Sequence, residues 1–329
     1  MWRQSLLIGS VRKNMMQFIK DGTVIPFMKI KGIVEALCLV LVIASIVSMC
    51  TRGFNWGLDF TGGIVVETEF SSNADIDTVK AAYAQQGVDG TVQHFGTAKD
   101  VVVRVAPKEG LDQQSVTNKV MAASKTIDPE VKLSRSEYVG PAVGEELVQS
   151  GIIAIVVSLI AILAYIAFRF EWRMATGAVI SLAYDVIVVM GVFSFWQIEY
   201  DLTVLASVLT VVGYSLNDKI VVFDRIRENA TRLPRAMPMQ TMFDVSLTQT
   251  LSRTIITSGT TLLTVLSLLL FGGEMIYGFS LALFIGIVFG TISSIYVAST
   301  WPLILGIERT NLIPIKVEKK ETDGYETLD

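Results

Sequence analysis

Histidine is nearly absent from this chain: His94 is the single example in 329 residues. Cysteine occurs twice, as Cys38 and Cys50, and charged side chains make up only 18% of the sequence. With one imidazole, His/Cys metal centres and Ser–His–Asp triads are nearly excluded. The two cysteines share one apolar run and stand about 18 Å apart along a helix, too far to bond to each other. No phosphate-binding glycine loop and no nucleophile–base set is visible, so the chain reads as a non-enzyme without metal or cofactor. The mild net charge of −4 gives no reason to expect a nucleic-acid partner.

Apolar residues are what the chain has in abundance. They make up 51% of it, with mean hydropathy +0.53, outside the ordinary soluble range. A helix needs about 20 mostly apolar residues to cross a bilayer, and six windows qualify: 32–51, 147–168, 174–195, 202–223, 251–272 and 275–301. Pro302 is expected to end the last of these near Trp301. The first window is read as a span, because its basic lead is long and its apolar core exceeds a signal-peptide core. Lys and Arg gather in segment 1–31, in "FRFEWR", in the loop 224–250 and in the tail 302–329, while "SFWQIEYD" and "GGEMIY" have none. By that asymmetry both termini are cytoplasmic, and residues 52–146 lie on the opposite side.

Residues 52–146 read as a small extracytoplasmic α/β domain. The pattern β-α-β-β-α-β, from "GIVVETEF" at 63–70 to "VKLSRSEYVG" at 131–140, suits a ferredoxin-like sandwich with its first and last strands adjacent. At its two stalks stand "GLDFTGG" (57–63) and "YVGPAVG" (138–144), where Asp59, Gly62, Gly63, Gly140, Pro141 and Gly144 read as turns or hinges, or as plain linkers.

Ionisable residues inside the spans are costly and point to function by default. Asp218 lies about 8–9 Å along its helix from Asp224, which places it in the inner half of the membrane. Arg253 enters the next helix in the same leaflet and is its candidate partner, or a side chain that snorkels to the surface. Arg253, Thr257, Thr260 and Thr264 share a helical face about 17 Å long. With Ser215 and Asn217 they are candidate linings of a proton or water path, or threonines bonded to their own backbone. Asp185 reads as a member of the relay or as a structural hydrogen-bond partner. Lys219 points roughly 100° away from Asp218 and reads as a snorkelling side chain with no assigned role. Small residues every fourth position on the sixth span (Gly278, Ala282, Gly286, Gly290, Ser294, Ala298) and a similar edge on the second (Ser150 to Tyr165) mark close helix packing, within the bundle or with a partner.

The stretches "GLDFTGG", "YVGPAVG", "FRFEWR", "GYSLND…VVFDRIREN" and "SLTQTLSRTIITSGTT" resemble, in order and spacing, the SecF branch of the SecD/SecF family, within the RND-type transporters. The likeness covers nearly the whole chain, the tails least. It implies an accessory subunit of protein export that pairs with SecD in the bacterial inner membrane, near SecYEG, YajC and YidC. Such a subunit uses the proton-motive force to promote late translocation and release of exported polypeptides. It also implies that Asp218 and Arg253 form the proton-responsive pair and that Asp185 occupies a family position. Two departures are Lys219, where the family usually has a small or hydroxylated residue, and Tyr184, where some relatives carry His. The alternatives are half of a small-molecule or lipid exporter, or a passive membrane scaffold.

Overall fold

The computed structural model describes residues 23–107, 112–273 and 276–313. The rest of segment 1–31, the start of the sixth window at Met275 and the tail beyond Ile313 lie outside the described residues. A 3-10 turn at Phe27–Lys29 leads into α1 (Lys31–Arg52). Then come β1 (Asn55–Trp56), α2 (Leu58–Thr61), β2 (Gly63–Glu69), α3 (Ile76–Gln85), β3 (Thr91–Phe95), β4 (Thr97–Val105), α4 (Gln113–Ile127) and β5 (Lys132–Val139). The remaining long helices are α5 (Pro141–Arg169), α6 (Trp172–Trp196), α7 (Leu202–Arg232), α8 (Met239–Phe271) and α9 (Tyr277–Ile295). A short β6 (Glu199–Tyr200) precedes α7, and α10 (Val297–Ile304) and α11 (Arg309–Leu312) follow α9. Six helical spans, the last formed by α9 with α10, are long and apolar enough to cross a membrane.

Small and polar residues decide which spans sit inside. α6, α7 and α9 are buried along much of their length, while α1, α5 and α8 present apolar surface outward. The small-residue edge of α9 packs inside the bundle, against α7. A Cβ on Gly286 would stand 2.2 Å from Val211 Cγ2, and one on Gly278 2.9 Å from Val204 Cγ2. On the second span's edge, by contrast, Ser150, Ala154, Ala161 and Tyr165 are exposed, and only Gly151 is buried, against Leu205.

The helices run beyond the expected spans. α7 continues through "DRIREN" to Arg232 and α8 begins at Met239, so most of segment 224–250 is helical and only residues 233–238 connect the two. The extension is held by Arg225–Glu228 (2.7 Å) and Arg232–Glu228 (2.8 Å) pairs along its own face. Across to α8, Asn229 Nδ2 donates to Ser246 Oγ (2.8 Å) and Gln249 Oε1 (3.0 Å). α5 starts at Pro141, with Gly140 as its cap, because proline's fixed φ suits the first helical position. Pro302 does not end its helix. The break comes earlier, at Tyr296, and Pro302 sits within α10.

The α/β domain has the expected sandwich. Its sheet runs in the order β3-β4-β2-β5, every neighbour antiparallel, with the first and last strands of the motif paired from Gly63↔Val139 to Glu69↔Lys132. Alternation gives it two faces. Ile64, Val66, Val101, Val103 and Val105 pack under α3 and α4. Val65, Val102 and Arg104 face the other way. A second sheet was not foreseen: β1 and β6 pair in parallel, Asn55↔Glu199 and Trp56↔Tyr200, tying the end of the first span to the loop before α7. Phe54, Trp56, Phe60 and Tyr200 cluster there, ring centroids 5.2–6.3 Å apart. Arg104 joins the domain to this ribbon, through Glu199 Oε2 at 2.6 Å and Asn55 Oδ1 at 2.7 Å.

Candidate functional site

Three buried helices place two carboxylates in the bundle. On α7, Ser215 and Lys219 are one turn apart and share a face, while Asp218 points about 100° away toward α8. Asp185 stands opposite them on α6, and Ser293 on α9.

Asp185 is well supplied with donors. Lys219 Nζ donates to its Oδ2 at 2.9 Å, Ser215 Oγ to the same oxygen at 2.5 Å, and Ser293 Oγ to Oδ1 at 2.5 Å. Ser181 Oγ in turn donates to Ser293 at 3.0 Å. Lys219 also donates to the Ser215 hydroxyl. Both charged side chains are fully buried, at 0% exposure. Lys219 therefore does not snorkel: at this point α7 lies behind α6 and α9, and the nearest carboxylate is closer than any aqueous surface. Gly290 permits this closeness, since a Cβ there would lie 3.0 Å from Ser215 Oγ.

Asp218 is buried too, at 4% exposure, yet poorly supplied with donors. Ser258 Oγ of α8 reaches its Oδ2 at 3.5 Å, and Thr291 Oγ1 of α9 lies 3.0 Å behind Ser258. Arg253 is exposed on α8, and among the described residues no ion pair within 4 Å joins it to Asp218. Arg253 stands five residues from Ser258, about 7.5 Å along the helix and about 140° around it. It instead lines a cleft of about 880 Å³ with Asn217, Asp224, Arg169, Arg225 and Arg227.

The threonine stripe also lies elsewhere than expected. Thr260 and Thr264 are exposed and Thr257 half-buried. Their hydroxyls donate to carbonyls one turn back, Arg253 O, Ile256 O and Thr260 O, at 2.9–3.2 Å. Among the described residues they form no track beside Asp218. Sequence reading missed Ser258, Thr291, Ser293 and Ser181, and gave Lys219 no part. The faintest usable signal was Ser258 itself, one position from the threonine stripe.

The stalk residues meet each other. A Cβ on Gly144 would come 3.4 Å from Gly62 N, and Asp59 Oδ2 accepts the Leu202 N–H at 3.0 Å, capping α7 beside Asp201. Gly62 and Gly63 have φ of 64° and 110°, and a Cβ on Gly63 would sit 2.2 Å from Val105 O, so both positions require glycine. Gly140 and Pro141 start α5. Glu199 is the perturbed acid of this region: burial raises its pKa above the usual range, and Arg104 opposes the shift.

A six-span helical bundle carrying one α/β domain and a buried Asp–Lys pair is the architecture of a polytopic membrane protein. A family model described as SecD/SecF protein export membrane protein, C-terminal, matches residues 119–308, and a SecD/SecF GG motif model matches residues 47–74. The chain is 49% identical over 308 residues to protein translocase subunit SecF of Vibrio alginolyticus, covering 93% of this chain and 98% of that one. With the subunit of the same name from Escherichia coli O157:H7 it shares 49% identity over 286 residues, 86% and 88% of the two chains. Among solved structures, SecDF of Thermus thermophilus, a translocon-associated membrane protein, superposes with a TM-score of 0.78 at 34% identity. A super-membrane-facing form of SecDF gives 0.66. Each match covers 91% of this chain and 41% of the longer one, so the chain spans under half of that SecDF. The chain belongs to the SecD/SecF family of protein-export membrane proteins.

Proposed function

We propose that this chain is a proton-coupled accessory subunit of bacterial Sec protein export, acting with SecD beside SecYEG, YajC and YidC. Its likeness to less than half of a SecDF chain supports a SecD partner that supplies the remainder. The Lys/Arg asymmetry supports an inner-membrane orientation with both termini cytoplasmic and the α/β domain outside. Asp218 is the proton carrier in this reading, Asp185 a fixed anion that orders the site, and Arg253 the guanidinium that approaches Asp218 when the helices shift. Asn217 and Ser215, with Thr257, Thr260 and Thr264 once a partner covers α8, line the access path. Asp59, Gly62, Gly63, Gly140, Pro141 and Gly144 carry the movement to the outer domain.

One observation carries the reading. Two buried carboxylates sit on adjoining helices, one held by a cation and two hydroxyls, the other holding, among the described residues, a single hydrogen bond at 3.5 Å. Asp218 has far more acceptor capacity to spare for a transferable proton than Asp185 does. The test is gradient-stimulated release of a secretory precursor from inner-membrane vesicles, comparing Asp218→Asn with wild type at matched expression. Loss of the stimulated fraction, with SecD still co-purifying, is expected. Undiminished release from the variant makes the chain a scaffold.

A further inference from the structure

Lys219 Nζ sits in a closed shell of oxygens. Asp185 Oδ2 lies 2.9 Å away and the Ser215 carbonyl 3.5 Å, and the Ser215 hydroxyl completes the contact. The other carboxylate oxygen is taken by Ser293, and neither charged group reaches solvent. A carboxylate, a hydroxyl and a carbonyl are the donors that hard cations favour. Here the cation is tethered, carried on a four-carbon stem from one turn along α7.

We propose that Lys219 is the resident cation of this oxygen site and thereby an ion-selectivity residue: it occupies the shell that a free alkali-metal ion would otherwise fill. The inference rests on the proton-coupled reading for its purpose, but ion binding tests it independently. Its basis is charge and volume. Take the ammonium away and an anionic carboxylate with two hydroxyl neighbours remains around a hole the size of the lost group. A buried carboxylate without a counter-ion is strongly unfavourable. A proton on Asp185 would relieve it, but the hydroxyls and the Ser215 carbonyl around the hole are ligands for a small monovalent cation, which is drawn in instead. While Lys219 is present no such hole exists, and the protein is indifferent to alkali cations.

The test compares wild type, Lys219→Ser and Lys219→Ser/Asp185→Asn as full chains with their SecD partner in lipid nanodiscs. Retention of radiolabelled sodium and the thermal midpoint are measured in sodium or choline chloride at equal ionic strength. Lys219→Ser is expected to retain sodium stoichiometrically and to melt higher in sodium than in choline, while wild type and the double variant do neither. Equal midpoints with no retained sodium in Lys219→Ser overturn the proposal. Retention by wild type or by the double variant overturns it as well. If Lys219→Ser fails to accumulate from sodium-rich medium while the double variant accumulates, the vacancy has not been filled and the proposal also fails. Asp218→Asn in the Lys219→Ser background separates the two ideas: lost coupling at Asp218 leaves sodium retention unchanged.

Discussion

Arg104→Met should loosen the α/β domain from the membrane bundle, and the defect should shrink in acid. The guanidinium makes a 2.6 Å ion pair with Glu199 and a 2.7 Å hydrogen bond to Asn55, at 16% and 24% side-chain exposure for the ion pair. The hydrogen bond from the charged guanidinium to Asn55 contributes about 1.5–3 kcal/mol and the partly exposed ion pair about 0–1 kcal/mol, so the loss is about 2–4 kcal/mol. At 1.4 kcal/mol per decade, opening of the β1–β6 ribbon rises about 30- to 700-fold. Hydrogen exchange reads this at Gly57, whose N–H bonds to Tyr200 O at 2.9 Å. The pH sign follows from Glu199. Burial raises its pKa in the seated domain, so seating is favoured below its ordinary pKa and weakens as pH rises through the raised one. Without Arg104 the largest offset to that loss is gone, leaving Arg135 and the Leu58 amide, and the exchange defect is largest at neutral pH. Glu199→Gln added to Arg104→Met should remove the pH dependence and much of the defect. Protection at Gly57 that is unchanged in Arg104→Met, or a defect that does not vary with pH, refutes this account of the contact.

Lys219→Met strands a buried anion and should cost about 3–5 kcal/mol, whereas Lys219→Met/Asp185→Asn recovers most of it; a double-mutant cycle in detergent unfolding measures the difference. Gly286→Ala, whose Cβ would meet Val211 at 2.2 Å, should destabilise the bundle by about 1–3 kcal/mol. Gly213→Ala, with nothing within 4 Å, is the matched control and should be neutral or stabilising, by up to about 1 kcal/mol. Asp128 accepts from Ser71 N and Oγ and from Glu130 N at 2.6–2.9 Å, which holds its pKa below the ordinary range. Its contribution to domain stability is therefore present above that range and lost as pH falls through the lowered value. Asp128→Asn should flatten the acid limb of the domain's melting curve.

The spans were legible because apolar length is a one-dimensional property, and the sandwich because strand alternation and two amphipathic helices are local patterns. The helix ends were not, since Pro141, the Glu228 pairs and Asn229 act at the edge of the hydropathy signal. Asp218 and Asp185 stood out as charges in apolar runs. Their partners did not: which serine faces which carboxylate depends on how α6, α7 and α9 are rotated. Lys219 shows the limit most clearly. A helical wheel places it away from Asp218 correctly, yet cannot say that the other side holds Asp185 rather than lipid. Likewise, the β1–β6 pairing joins residues 144 positions apart through two-residue strands, too short for any periodicity to reveal.

Asp59 gives α7 a mechanical connection to the stalk of the α/β domain. Its carboxylate grips the first amide of the same rod that bears Ser215, Asp218 and Lys219 further along. A torque applied at the glycine stalk need not pass through a chain of side chains, because a helix turns as one body. With side-chain tips about 5–6 Å from the axis, a turn of roughly 10° sweeps them by about 1 Å. That distance separates a 2.9 Å hydrogen bond at Lys219 from a broken one. It is also the order of shift that would change whether Asp218 meets Ser258. In the proton-coupled reading proposed above, pulling on an emerging polypeptide and exchanging a proton are two ends of a single axle.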